Sequence, residues 1–140
     1  MSLDNFLSTY QRLGRDNLEL LEQIYSADIQ FVDPAHSVAG LPELKAYFVE
    51  LYANVTEIRF EFHSQYRVGD QVFVEWWMSL RHPRLARGRL VRVPGISCLH
   101  FTASGLVDRH RDYFDLGALL YEQLPVLGGL VRAIKRRFAR

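Results

Sequence analysis

Apolar residues recur along this chain first with a helical period and then with a strand period. Leu3, Phe6, Leu7, Tyr10 and Leu13 fall at helical spacing and make one face of a first helix. Gly14 stands where a left-handed cap would end it. Asp16 opens a second helix, with Glu19 three residues on as in a capping box and Leu18, Leu21 and Ile24 as its buried side. Residues 29–32 read as a short strand halted by Asp33-Pro34. Pro42 suits the first turn of a third helix, where its missing N–H costs nothing, and Leu44, Phe48, Leu51, Tyr52 and Val55 form that helix's stripe.

Near Thr56 the period changes to two. Ile58, Phe60, Phe62, Ser64 and Tyr66 alternate with Glu57, Arg59, Glu61 and His63 before a Val-Gly-Asp turn at residues 68–70. Residues 72–80, 90–102 and 106–114 read as three further strands, with Ser104-Gly105 as a tight hairpin and Pro94-Gly95 as a bulge that curls the sheet. Asp115 caps a last helix running to about Leu124, which Pro125 interrupts. Helices grouped before strands predict an α+β fold with helices on one face of the sheet. The expected shape is a cone: a curved antiparallel sheet and three N-terminal helices around an apolar pocket, plus a C-terminal helix. Residues 1–124 form the domain and residues 125–140 a basic amphipathic extension.

Composition narrows the class. Of 140 residues, 49% are hydrophobic and 24% charged, which is globular rather than disordered. The net charge of +1 gives no global attraction to nucleic acid, which is not an expected partner. Cys98 is the only cysteine, so neither an internal disulfide nor a cysteine metal cluster is available. The start Met1-Ser2-Leu3-Asp4 has no secretory pattern, and no run approaches the roughly 20 apolar residues of a membrane span. A cytoplasmic protein is expected. Five scattered histidines lack metal-ligand spacing, and there is neither a phosphate loop nor a nucleophile elbow, so no metal and no cofactor are expected.

Three segments carry a family resemblance. The run IYSADIQFVDPAHSVAGLPELKAYF, residues 24–48, resembles the nuclear transport factor two-like superfamily and, within it, the SnoaL-like group, through Tyr25, Asp28, Asp33-Pro34, Gly40 and Tyr47-Phe48. RHRDYFDL, residues 109–116, is similar to the last-strand signature of SnoaL-like proteins and of limonene epoxide hydrolase. The Val68-Gly69-Asp70 turn before an apolar strand is the third match. The superfamily includes ketosteroid isomerases, polyketide cyclases and binding domains without catalysis, so the fold leaves the function to be argued residue by residue.

The resemblance aligns Asp33 with the general base of ketosteroid isomerase, and an apolar wall would make such a carboxylate a better base. An Asp before Pro also stops strands by bonding nearby backbone. Tyr10 matches the tyrosine that donates to the isomerase's developing oxyanion. Where the isomerase has its second donor, an aspartic acid, this chain has Ser97. Asp112 matches the last-strand aspartate that acts as acid or base, and His110, two residues away on the same face, can hold or relay its proton. The epoxide hydrolase's Arg and Asp on the second long strand are replaced by Trp76 and Met78. With Phe48 these imply an apolar wall for a lipid-like or polycyclic ligand, and His36 is placed at the pocket mouth.

Two readings stay open: a pocket that moves protons on a hydrophobic small molecule (isomerisation, cyclisation or dehydration), or a non-catalytic ligand-binding or dimerising module of the same fold. A homodimer through the convex sheet face is expected. Residues 125–140 carry Arg132, Lys135, Arg136, Arg137 and Arg140 and no acid, with Leu127, Leu130, Val131, Ile134 and Phe138 at helical spacing. Such a segment suits peripheral contact with an anionic membrane, or docking on a protein surface. Arg81, Arg84, Arg87, Arg89 and Arg92 lie in a stretch with no acidic residue from Trp76 to Val107.

Overall fold

The change of period near Thr56 divides a helical layer from a six-stranded sheet. A computed structural model describes residues 2–139; Met1, Arg140 and the Ser2 side chain lie outside the described residues. The chain runs α1 (Ser2–Arg12), a 3₁₀ segment (Leu18–Gln23), β1 (Tyr25–Val32), β2 (Ser37–Ala39), α2 (Leu41–Asn54), β3 (Glu57–Val68), β4 (Gln71–Arg81), a 3₁₀ turn (Ala86–Gly88), β5 (Val91–Phe101) and β6 (Val107–Phe114). It ends in α3 (Leu116–Leu119), a 3₁₀ turn (Tyr121–Gln123) and α4 (Leu127–Phe138). The strand order is β2-β1-β6-β5-β4-β3 in one curved, unclosed sheet.

All neighbours are antiparallel except β1 and β6, which pair in parallel. That pairing is absent from the sequence reading, which also starts β1 four residues late and omits β2. It sets the site, because Phe31 pairs with His110 and Val32 with Arg111. Asp33, just past the end of β1, and Asp112, within β6, therefore lie side by side on the face that Phe31 and His110 share.

The three expected helices precede the long strands, with Leu18, Leu21 and Ile24 buried as expected, but the second is 3₁₀ rather than α. Asp16 opens no α-helix, and the segment after it is a single 3₁₀ stretch. Asn17 explains this locally: its Oδ1 accepts from Gly14 N at 2.6 Å and its Nδ2 donates to Arg12 O at 2.7 Å. The Asn17 side chain thus closes α1 instead of starting a new helix, and Gly14 is not left-handed. On α2 the apolar stripe is as expected, with Leu44, Phe48 and Tyr52 buried.

The core fills the concave side of the sheet. Phe6 of α1 meets Phe101, Tyr10 meets Phe60 and Phe62, and Phe48 of α2 meets Phe31, each with ring centres 5.3–6.4 Å apart. Leu21, Ile29, Leu44, Val72, Val74 and Val107 are wholly buried, each contributing about 1.5–3 kcal/mol relative to exposure. Curvature does not come from a bulge at Pro94-Gly95, since the β4–β5 register runs through it unbroken. Register shifts lie elsewhere: in β3 between Phe62 and Ser64, in β5 between His100 and Phe101, and in β1 between Tyr25 and Gln30. Gly95 instead makes room for a ring. A Cβ there would come within 2.3 Å of the Trp76 side chain, so the missing side chain is the space the indole occupies.

Candidate active site

A cavity of about 90 Å³ lies between the sheet's concave face, α1, α2 and α3. Trp76, Met78 and Leu80 of β4, Ile58 and Phe60 of β3 and Phe48 and Leu51 of α2 supply apolar wall, and Leu119 of α3 closes one side. Asp33, Asp112, Tyr10, Tyr47 and Tyr52 are the polar groups that reach it. The structure thus gathers Asp33, Asp112, Tyr10, Trp76, Met78 and Phe48 around one space. The space is small beside typical ligand sites of several hundred Å³.

Asp33 is held tightly at the end of β1. Its Oδ1 accepts from Ala35 N (2.8 Å) and His36 N (2.7 Å), with His36 Nδ1 at 3.3 Å, while Oδ2 accepts from the Tyr47 hydroxyl at 2.7 Å. The backbone-stopping role and the cavity position therefore belong to the same carboxylate. His36 does not reach the cavity lining; it lies outside, its ring centre 4.7 Å from that of Tyr47.

Asp112 is supported from behind by a buried polar chain. Trp76 Nε1 donates to Ser97 Oγ, Ser97 Oγ donates to Asp112 Oδ1 at 2.5 Å, and His110 Nε2 lies 2.6 Å from the same oxygen. His110 Nδ1 meets the Tyr25 hydroxyl at 2.7 Å. A neutral His110 with its proton on Nε2 satisfies every member, donating to Asp112 and accepting from Tyr25. Both bonds fall on Oδ1, which leaves Oδ2 as the less engaged oxygen among the described residues. Ser97 and His110 are buried behind the cavity and touch Asp112 rather than line the space, so Ser97 is not the ligand contact expected of it.

The tyrosines remain neutral donors. Burial pushes the Tyr10 and Tyr25 hydroxyls well above their ordinary value, with the Asp112 charge adding to it. Tyr47 is raised by burial and then by its bond to Asp33, and burial lifts Tyr52 to about 12. None can serve as a base near neutral pH; Tyr25 and Tyr47 already donate to His110 and Asp33, whereas Tyr10 and Tyr52 line the cavity and can donate to an oxygen that gains charge. Burial likewise raises the Cys98 thiol, which lies outside this cavity. Among the described residues no three His, Cys, Asp or Glu side chains cluster to hold a metal ion.

Sequence reasoning singled out neither Tyr47 nor Tyr25 as a site residue. Tyr47 was accessible to it, lying on α2 beside Phe48 and four residues before Leu51 on the same face. Tyr25 was not, because only the β1–β6 pairing brings it to His110.

No curated protein matches the chain in sequence. Solved structures similar in fold include a protein with a ketosteroid isomerase-like fold from Catenulispora acidiphila, solved with trimethylamine: TM-score 0.69, 22% identity, 79% of this chain and 85% of that one. A nuclear transport factor two-like protein from Burkholderia pseudomallei gives a TM-score of 0.74 at 15% identity over 85% and 94%. TerC, co-crystallised with polyporic acid, gives 0.72 at 17% identity over 84% and 94%. The model of the SnoaL-like domain matches residues 7–110, most of the chain and all of the sheet but the end of β6, and the chain belongs to that family.

Proposed function

We propose that this protein binds a small apolar carbonyl compound and moves a proton on it, with Asp112 as the proton acceptor. The observation that carries this reading is the convergence of Asp33 and Asp112 on one largely apolar cavity, with Asp112 backed by His110. Asp33 is the base that the family resemblance implies, yet its oxygens already take four donors. Asp112 Oδ2 is the freer oxygen. In this reading a proton leaves the carbon next to the carbonyl for Asp112 Oδ2, and the electron pair shifts onto the carbonyl oxygen. The Tyr10 hydroxyl donates to that oxygen. Return of the proton to a different carbon completes an isomerisation, and cyclisation or dehydration can start from the same enolate. The co-crystallisation of the similarly folded TerC with polyporic acid supports an organic ligand for this fold.

The test is exchange of the hydrogens beside the carbonyl of cyclohexanone in heavy water, followed by nuclear magnetic resonance. Wild type is expected to accelerate exchange and Asp112→Asn to lose the acceleration while still binding the ketone. A second reading, a binding module without turnover, is favoured by the small volume and by the Ser97 hydroxyl being engaged inside the scaffold. Saturable ketone binding with exchange no faster than in buffer would decide for it.

A further inference from the structure

The extension contains an apolar face that the domain leaves open. On α4, Leu127, Leu130, Ile134 and Phe138 are exposed, Phe138 to 92%, and Val126 just before the helix to 87%. The helix is nevertheless fixed along a different line. Gly128 lies against the Glu122 carbonyl, Arg132 Nη1 donates to Glu122 O at 2.6 Å, and Lys135 Nζ reaches Glu122 at 3.1 Å and Asp115 at 3.6 Å. With 3.6 residues per turn, this line lies roughly a third of a turn from the exposed apolar one. Docking on the domain therefore leaves the apolar face pointing away from it.

Beside α4 is a concavity of about 690 Å³ lined by Arg84, Arg87, Arg89 and Arg132, with Pro83, Leu124, Pro125 and one acid, Glu122, which pairs with Lys135, among its other walls. None of these four guanidinium groups makes an ion pair with a carboxylate among the described residues. Arg136 and Arg137, farther along α4, make none either. Leu124 and Pro125 line the groove and lead directly into the exposed Val126 and Leu127, so the groove adjoins the apolar residues at the start of α4.

We propose that α4 and this arginine groove together form one docking surface for an anionic lipid bilayer. The apolar residues would enter the boundary between head groups and acyl chains while the arginines meet lipid phosphates. Free phosphate alone would leave Leu130, Ile134 and Phe138 in water. A second copy meeting the same face would bring the arginines of two helices together. No described helix is long and apolar enough to cross a membrane, so the contact is peripheral.

Co-sedimentation of the full chain with vesicles of mixed phosphatidylglycerol and phosphatidylcholine, against phosphatidylcholine alone, tests this. Wild type is expected to bind only the anionic vesicles, and less as salt rises. Arg84→Gln with Arg87→Gln should weaken partitioning roughly 30-fold, at about 1 kcal/mol per cation near the surface. Ile134→Asp with Phe138→Asp should abolish binding, with thermal melts showing both variants folded. Absence of anionic binding by wild type, or unchanged binding by the Ile134→Asp, Phe138→Asp variant, overturns the proposal. So does release by inorganic phosphate far beyond that by chloride at equal ionic strength, which would mark a free-phosphate site. A doubled mass in light scattering that this variant reduces to one chain assigns the face to a second copy instead.

Discussion

Trp76 Nε1 donates to Ser97 Oγ across 2.8 Å, and the same hydroxyl donates to Asp112, so the apolar wall of the cavity and its acid group share one fixed link. The indole keeps that bond only because Gly95 opposite it has no side chain. Gly95→Ala is therefore expected to destabilise the fold by about 1–3 kcal/mol, as overpacking does. Chemical denaturation measures the loss, and a shift in tryptophan fluorescence should report the displaced ring. An unchanged midpoint with unchanged fluorescence would show that the ring has room to move.

His110 joins two groups that have no other strong reason to be near each other. His110→Phe keeps a ring in place but removes the imidazole from the buried Tyr25 hydroxyl, which keeps its contact with Tyr10, and one donor from Asp112. The expected loss is about 1–3 kcal/mol for each group stranded. Combined with Tyr25→Phe, the change should be smaller than the sum of the single effects, with a coupling of about 0.5–3 kcal/mol in a double-mutant cycle. Strict additivity would mean that the Tyr25–His110 bond carries no energy.

Alkaline pH should unfold the protein through its tyrosines. Tyr10, Tyr25, Tyr47 and Tyr52 are all raised above the ordinary value near 10, Tyr52 to about 12 and chiefly by burial. A raised folded-state value means that the native chain keeps its protons where the unfolded chain releases them. The stabilisation is complete below pH 10 and declines as pH climbs from there through the folded-state values. Denaturation midpoints should therefore be flat from neutral to about pH 10 on this account and fall steeply above it. Tyrosinate absorbance from these residues should rise together with loss of the circular dichroism signal, not before it.

Gly128 offers a way to free α4 without touching the core. A Cβ at that position would lie 2.4 Å from the Glu122 carbonyl oxygen, which is backbone and cannot swing aside. Gly128→Val should thus raise amide hydrogen exchange across Leu127–Phe138 while leaving protection in β4 and β5 unchanged. Equal protection of α4 in both proteins would place its anchor elsewhere.

Much of this architecture is legible in the sequence because it is written in local periods. The stripe of α2 and the alternation in β3 to β6 each arise from contacts between near neighbours, so the spacing of apolar residues reports them directly. The Asp16 helix failed because Asn17 offered its side chain to the preceding turn, a competition that capping patterns do not express. The site was only partly legible. Resemblance singled out Asp33 and Asp112, but their meeting depends on β1 lying parallel to β6, and no spacing within either segment encodes a partner most of the chain away. Ser97 and His110 were identified as polar residues near the site, whereas their place behind Asp112 follows from the register between β5 and β6.

That parallel pairing also has a consequence in time. The β3–β6 meander consists of antiparallel neighbours joined in sequence, each able to form as soon as its two strands exist. β1, made early, can pair with the short β2 at once but must wait for the last strand, β6, before it joins the rest of the sheet. Closing so long a loop is entropically expensive and slows the step that needs it. On the ribosome the segment leading to Asp33 would have only the short β2 as a strand partner until β6 emerges. The two carboxylates would then be among the last parts of the domain to come together.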